Sequence, residues 1–116
     1  MKKLKIPTRI KATRAVRVEV EGGKIVVDPD VLHRGKVIGQ AVEWTVVTSG
    51  WNFPLYANGI ALKVNHHDFS NGHKVTSKVF RISNLNSVRR SHRYTVTLVN
   101  SSGDVLQKDP SIVNRG

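Results

Sequence analysis

The chain has 116 residues and a mass of 12.9 kDa, with 39% hydrophobic residues, which suits one domain and is too little for two. Nineteen Lys and Arg against eight Asp and Glu leave a formal charge of +11, a balance that favours polyanionic partners. There is no cysteine, so disulfide frameworks, thiolate nucleophiles, zinc ribbons and blue-copper thiolate centres are excluded.

Residues 1–14 hold Lys2, Lys3, Lys5, Arg9, Lys11 and Arg14 with no acid, and Pro7 argues against a helix. They read as a basic arm in front of a single domain over 15–116. The arm lacks the continuous apolar run of a secretory signal, which makes the cytoplasm the default compartment. From Ala15 the period becomes two: Val16, Val18 and Val20 alternate with Arg17, Glu19 and Glu21, the pattern of a half-buried strand. Gly22-Gly23 then predicts a two-residue hairpin, because a type I′ turn needs positive φ at both positions. In that register Glu21 faces Lys24, Val20 faces Ile25, Val18 faces Val27 and Arg17 faces Asp28. One face receives apolar pairs and the other two pairs of opposite charge. The alternative is a corner that sends residues 24–28 into a facing sheet.

Asp28-Pro29-Asp30 ends that strand, and Gly35 and Gly39 punctuate a basic loop with His33, Arg34 and Lys36. The next strand, over 41–47, turns Val42, Trp44 and Val46 inward and places Trp44 at the centre of the core. Thr48-Ser49-Gly50 is a turn. Trp51, Phe53 and Leu55 alternate again, but Pro54 confines that piece to an edge or a loop. Asn58-Gly59 turns into a strand bearing Ile60, Leu62 and Val64, followed by a polar loop over 65–73. The uncharged run over 44–62 is broken by Gly, Pro and Asn and is not a membrane span. Residues 75–82 read as one strand with Phe80 and Ile82 on one face and Val75 and Val79 on the other. After a loop over 83–87 comes a clear strand over 93–99, with Tyr94, Val96 and Leu98 inward. Residues 100–103 turn, 105–107 pair back, and Asp109-Pro110 precedes Ile112 and Val113.

Seven to nine short strands without a helix of ten residues predict an all-β chain, an antiparallel two-sheet β-sandwich or a small barrel. The run Ile25-Val26-Val27-Asp28-Pro29-Asp30, then Gly35, then Val42-Glu43-Trp44 resembles the opening of cupredoxin-like and immunoglobulin-like sandwiches, where a proline corner precedes a strand bearing a buried tryptophan. Tyr94, two residues before Val96, resembles the tyrosine near the start of a late strand in such folds. The resemblance implies a sandwich and no function. Where cupredoxins carry their copper-binding cysteine, residues 94–100 offer no thiolate, so no copper centre and no other cofactor is expected.

Chemistry is sparse. His66, His67, Asp68 and His73 share one predicted loop, but adjacent histidines on extended backbone point to opposite sides and the spacing matches no metal-ligand motif. No metal site is therefore expected, a weak divalent-metal role for the loop being the lesser alternative. His92, between arginines, adds to a basic patch. No G-x-S-x-G elbow, H-E-x-x-H pair, P-loop or G-x-G-x-x-G occurs, although a Ser-His-Asp group assembled by the fold has no linear signature. Arg89, Arg90 and Arg93 sit at a loop-to-strand junction where long cations can reach a phosphate backbone together. The competing reading is that these charges keep a small β-protein soluble and blunt its edges. Trp51, Phe53 and Tyr56 lie in a stretch without charge; burial in the core is the commoner outcome for such residues, and if exposed the stretch suits a protein partner better than a nucleic-acid groove. The expectation is a non-enzymatic binding module that contacts nucleic acid or another polyanion through Lys2, Lys3, Lys5, Arg9, Lys11, Arg14, Arg89, Arg90 and Arg93. Its rival is a protein-interaction or self-assembly module using Trp51, Phe53 and Tyr56.

Overall fold

The alternating valines form β1 (Arg14–Glu21), and Gly22 and Gly23, with φ of 60° and 76°, turn it into β2 (Lys24–Asp28). The two strands pair antiparallel in the register read from their side chains, Glu21↔Lys24 through Arg17↔Asp28, so the corner alternative does not apply. The computed structural model describes residues 13–34 and 40–116. Lys2, Lys3, Lys5, Arg9 and Lys11 fall outside the described residues, as does the loop at Gly35 and Gly39. Arg14 is the first residue of β1.

The remaining described strands are β3 (Val31–His33), β4 (Gln40–Val46), β5 (Trp51–Asn52), β6 (Ile60–Leu62), β7 (Phe69–Thr76), β8 (Val79–Asn84), β9 (Arg89–Asn100), β10 (Val105–Lys108) and β11 (Ser111–Arg115). They make two sheets, one of five strands in the order β2-β1-β4-β8-β7 and one of six built on β9. Both sheets are mixed, which corrects the antiparallel expectation: β1 pairs parallel with β4, and β3 parallel with β11. After Pro29 the chain leaves the first sheet to lay β3 beside β11, then returns on the open edge of β1. Two changes of sheet bring β4 back in the direction of β1, and no residue pattern within a strand encodes that.

In the second sheet β9 is the spine. β10 and β11 pair with it antiparallel from Val105↔Val99 to Arg115↔Arg89 without a register shift. Asp109-Pro110 interrupts the strand but not the ladder, because the Tyr94 amide donates to the Pro110 carbonyl at 3.1 Å. β6 and β5 also pair with β9.

Residues 75–82 are not one strand. They contain the turn of a β7–β8 hairpin, with Thr76 opposite Val79 and two register irregularities in β7. The turn residues Ser77 and Lys78 carry neither Gly, Pro, Asn nor Asp. Its local signal is Thr76 Oγ1, which accepts the Lys78 amide at 3.1 Å. The turn and the bulge between Lys74 and Thr76 remove the single period that would have put Val75 and Val79 on one face.

The sheets share one apolar core containing Val16, Val18, Val42, Trp44, Phe80, Tyr94, Val96, Leu98 and Ile112. At its centre Trp44 of the first sheet donates its indole N–H to the Tyr94 hydroxyl of the second at 3.0 Å. Their rings meet edge to face with centroids 5.3 Å apart. Burial pushes the Tyr94 hydroxyl up to about 12, the Asp30 charge adding to it and the Trp44 hydrogen bond opposing. Among the described residues no helix is long and apolar enough to cross a membrane.

Candidate functional site

The β9 ladder decides where the arginines stand. Residues two or four apart on a strand share a face, and so do directly opposed residues on an antiparallel neighbour. Arg89 and Arg93 therefore project from the same side of the second sheet as Arg115, which opposes Arg89. Lys63 joins them beside Arg93, to whose carbonyl its amide donates at 2.9 Å. Arg89, Arg90 and Arg93 are all exposed. Lys63, Arg90 and Arg93, with Val64, Ser91 and His92, line a cavity of about 450 Å³.

Ion pairs occur on both sheets. Arg17 pairs with Glu19 and Arg81 with Glu43 on the first. On the second, Lys63 lies 3.1 Å from Asp109 and Lys108 4.0 Å from Asp30. The Asp109 carboxyl is held below its usual range by hydrogen bonds from Thr95 Oγ1 and Lys63. No ion pair among the described residues involves Arg89, Arg90, Arg93 or Arg115. Arg14 stands apart from this group. It is half-buried, and its Nη1 donates to the His33 carbonyl at 3.5 Å. Next to it Arg34 is buried, and burial, with the Arg14 charge, pushes its guanidinium down to about 10. Sequence reasoning missed Arg115, although carrying the register from the turn at 100–103 along β9 places it opposite Arg89.

The three aromatics chosen for a protein interface separate. Phe53 is 2% exposed and packs edge-on against Phe80 at 5.8 Å, so it belongs to the core and not to a surface. Trp51 is half-buried against the same core. Tyr56 alone is presented, 97% exposed, together with Leu55 at 72%. Pro54 had pointed to a loop; what the alternation concealed was that Phe53 turns under it.

The histidines are rearranged most. Residues 66–69 form a turn in which the Phe69 amide donates to the His66 carbonyl and the Asp68 amide to His66 Nδ1, each at 3.1 Å. The turn stacks His66 on His67 with centroids 4.3 Å apart. The expectation that they diverge holds only for extended backbone. His73 lies elsewhere, with its Nδ1 2.9 Å from the Asn71 carbonyl oxygen. In its place comes His92 from the inward face of β9, 5% exposed, with its ring edge-on to His66 at 4.9 Å and to Phe69 at 4.7 Å. One donor atom each of His66, Asp68 and His92 lies within 4.8 Å of the others. These are the described residues that could hold a metal ion.

Two details characterise that trio. His92 Nε2 is buried without a hydrogen-bond partner, at a cost on the order of 1–3 kcal/mol. Burial, then the charges of His66 and Arg90, push the His92 imidazole below its ordinary range, with Asp68 pulling the other way. Burial pushes the Asp68 carboxyl up. The Ser87 hydroxyl, the amides of Ser87 and Val88 and the Asn114 side chain all donate to it, and together they hold it below the usual carboxylate range. A neutral imidazole thus faces an ionised carboxylate.

Ser87, His67 and Asp68 also meet, but not as a nucleophile relay. Such a relay sets the histidine between serine and acid, using both ring nitrogens. Here Ser87 Oγ donates directly to Asp68 Oδ1, and the same His67 Nε2 lies 3.4 Å from that hydroxyl and 3.6 Å from that oxygen. No family model matches the chain, and no curated protein matches it in sequence.

Proposed function

We propose that the chain is a non-enzymatic binding module that grips nucleic acid, as a polyanion, through Arg89, Arg90, Arg93 and Arg115, with the basic arm adding to the contact. The observation that carries this is that, among the described residues, none of these four arginines on adjacent strands meets a carboxylate, whereas Arg17, Arg81, Lys63 and Lys108 each do. Arg89 and Arg93 stand roughly 13 Å apart along β9, a length of about four base-pair steps. Guanidinium groups suit phosphate because their planar forks bind it bidentately. Trp44 buried in the core and Tyr94 in β9 support reading the two sheets as a cupredoxin-like or immunoglobulin-like sandwich that serves here as scaffold.

The test is fluorescence anisotropy of a labelled oligonucleotide across a salt series. Four phosphate contacts give a slope of log affinity on log salt of about −4 for duplex, and Arg89→Glu with Arg93→Glu reduces it by about two. Absence of binding at low salt, or binding indifferent to salt, refutes the proposal. A second reading, docking of a protein partner or a second copy on the 53–58 loop, draws on the exposure of Tyr56 and Leu55. It requires that Tyr56→Ser abolish any association seen by light scattering.

A further inference from the structure

We propose that His66, Asp68 and His92 form a binding site for one divalent metal ion of the zinc class. Two imidazoles and a carboxylate are the donor set such ions take in three-ligand sites that keep a further position open. The three come from two separate parts of the chain, the turn after β6 and the inward face of β9, and the fold brings their donor atoms within 4.8 Å of one another. Tetrahedral bonds of about 2.1 Å need donors about 3.4 Å apart, so the side chains must close by roughly one ångström. The half-buried His66 has the room. It lines a cavity of about 430 Å³ with Asn58, Asn65 and Phe69, which also provides an entry path.

The independent observation is that His92, one of the three, is 5% exposed and its Nε2 is buried without a hydrogen-bond partner. A buried polar atom is normally satisfied, and a metal ion supplies what this one lacks. The surroundings fix the other donors. Asn114 Nδ2 donates to Asp68 Oδ2 at 3.2 Å and the Ser87 amide at 3.1 Å, while the Ser87 hydroxyl, free to rotate, is the contact an ion displaces. Outer hydrogen bonds of this kind orient metal-binding carboxylates and histidines. One carboxylate leaves a divalent ion net positive beside Arg90, so the open position suits water or an anion. His66 Nδ1 now accepts the Asp68 amide, which places the neutral ring's proton on Nε2. Ligation through Nε2 reverses that tautomer and breaks the hydrogen bond.

The chain, made without a histidine tag and stripped with EDTA, is titrated with Zn²⁺ alone by calorimetry. One ion per chain is expected at micromolar dissociation constant or tighter, about tenfold or more weaker in His66→Gln and unchanged in His73→Gln. Nitrogen NMR should show the His92 Nε2 resonance shift and the His66 tautomer reverse as zinc is added. His92→Asn carries the same expectation as His66→Gln; because His92 is buried, His66→Gln at the turn keeps the test decisive if that variant fails to fold. No saturable binding up to about 1 mM Zn²⁺, or binding undiminished in His66→Gln, overturns the proposal. The site does not rest on the nucleic-acid reading, and either can fail alone.

Discussion

Removing one oxygen atom tests how the two sheets are joined. Tyr94→Phe keeps the ring and its edge-to-face packing on Trp44 but takes away the acceptor of the buried indole N–H. Stranding a buried donor costs about 1–3 kcal/mol, and deleting a hydroxyl that itself had to be desolvated returns part of that, leaving about 1–2 kcal/mol. For a chain of this length the unfolding entropy is roughly 0.24 kcal/mol/K, so the melting temperature should fall by about 4–8 °C. Urea unfolding followed by circular dichroism should give a lower midpoint at an unchanged slope. Adding Trp44→Phe closes a double-mutant cycle. Because both the hydrogen bond and the ring contact join the same pair, a coupling of about 1 kcal/mol is expected. A Tyr94→Phe protein within about 0.3 kcal/mol of wild type, or a cycle that is additive within that margin, refutes the idea that this contact ties the sheets together.

The same residue gives a pH dependence. Tyr94 titrates at about 12 when folded against 10.0 unfolded, so its contribution is fully present below pH 10 and lost as pH rises towards 12, roughly 3 kcal/mol in all. Urea midpoints of the wild type should fall over that window more steeply than those of Tyr94→Phe, and parallel curves would contradict it. Gly59→Ala should cost about 2 kcal/mol or more by thermal melting, because a Cβ there would stand 2.3 Å from Phe53 Cδ1 and 2.9 Å from Phe53 Cβ. Gly103→Ala meets open space but sits at φ +86°, and should cost only about 1 kcal/mol. Glu43→Gln breaks the ion pair to the exposed Arg81 and should change stability by less than about 1 kcal/mol.

What could be read from residues alone was what alternation and turn chemistry encode. The β1–β2 register follows from matching apolar and charged pairs on both faces at once, a test that a one-residue slip fails. Trp44 and the inward row Tyr94, Val96 and Leu98 follow from period two. The parallel pairs were invisible because they depend on the path between sheets. The turn at Ser77 and Lys78 was missed because Thr76 serves there in place of a glycine or asparagine. Which of Trp51, Phe53 and Tyr56 would be buried was not legible, because Pro54 marks a loop without saying which neighbour folds beneath it. The grouping of His66, Asp68 and His92 escaped for the opposite reason. The loop histidines were noticed, but their partner His92 lies far along the chain and was assigned to the arginines flanking it.

Those two assignments of His92 are reconciled by the buried polar residues around it. Asn84 and Asn114 bond each other reciprocally at 2.9 and 3.0 Å, and Asn114 reaches Asp68. Asn86, at φ 54°, a conformation asparagine tolerates, accepts the Arg115 amide at 2.9 Å, while the Ser87 amide is held by Asp68. Such groups are costly unless every one is satisfied, so the network admits one arrangement of residues 85–88 and of the end of β11. Arg89 begins where that loop ends, and Arg115 is held through its own amide. The frame that holds the Asp68 carboxylate is thus the frame that sets Arg89 and Arg115 side by side. On an ordinary surface loop the arginines would have to be ordered when a phosphate backbone arrived, at an entropic cost of about 0.5–1.5 kcal/mol for each long side chain and more for the backbone. Under the proposed nucleic-acid contact, the backbone share of that cost is met here during folding, which would give the otherwise expensive cluster of buried asparagines a purpose.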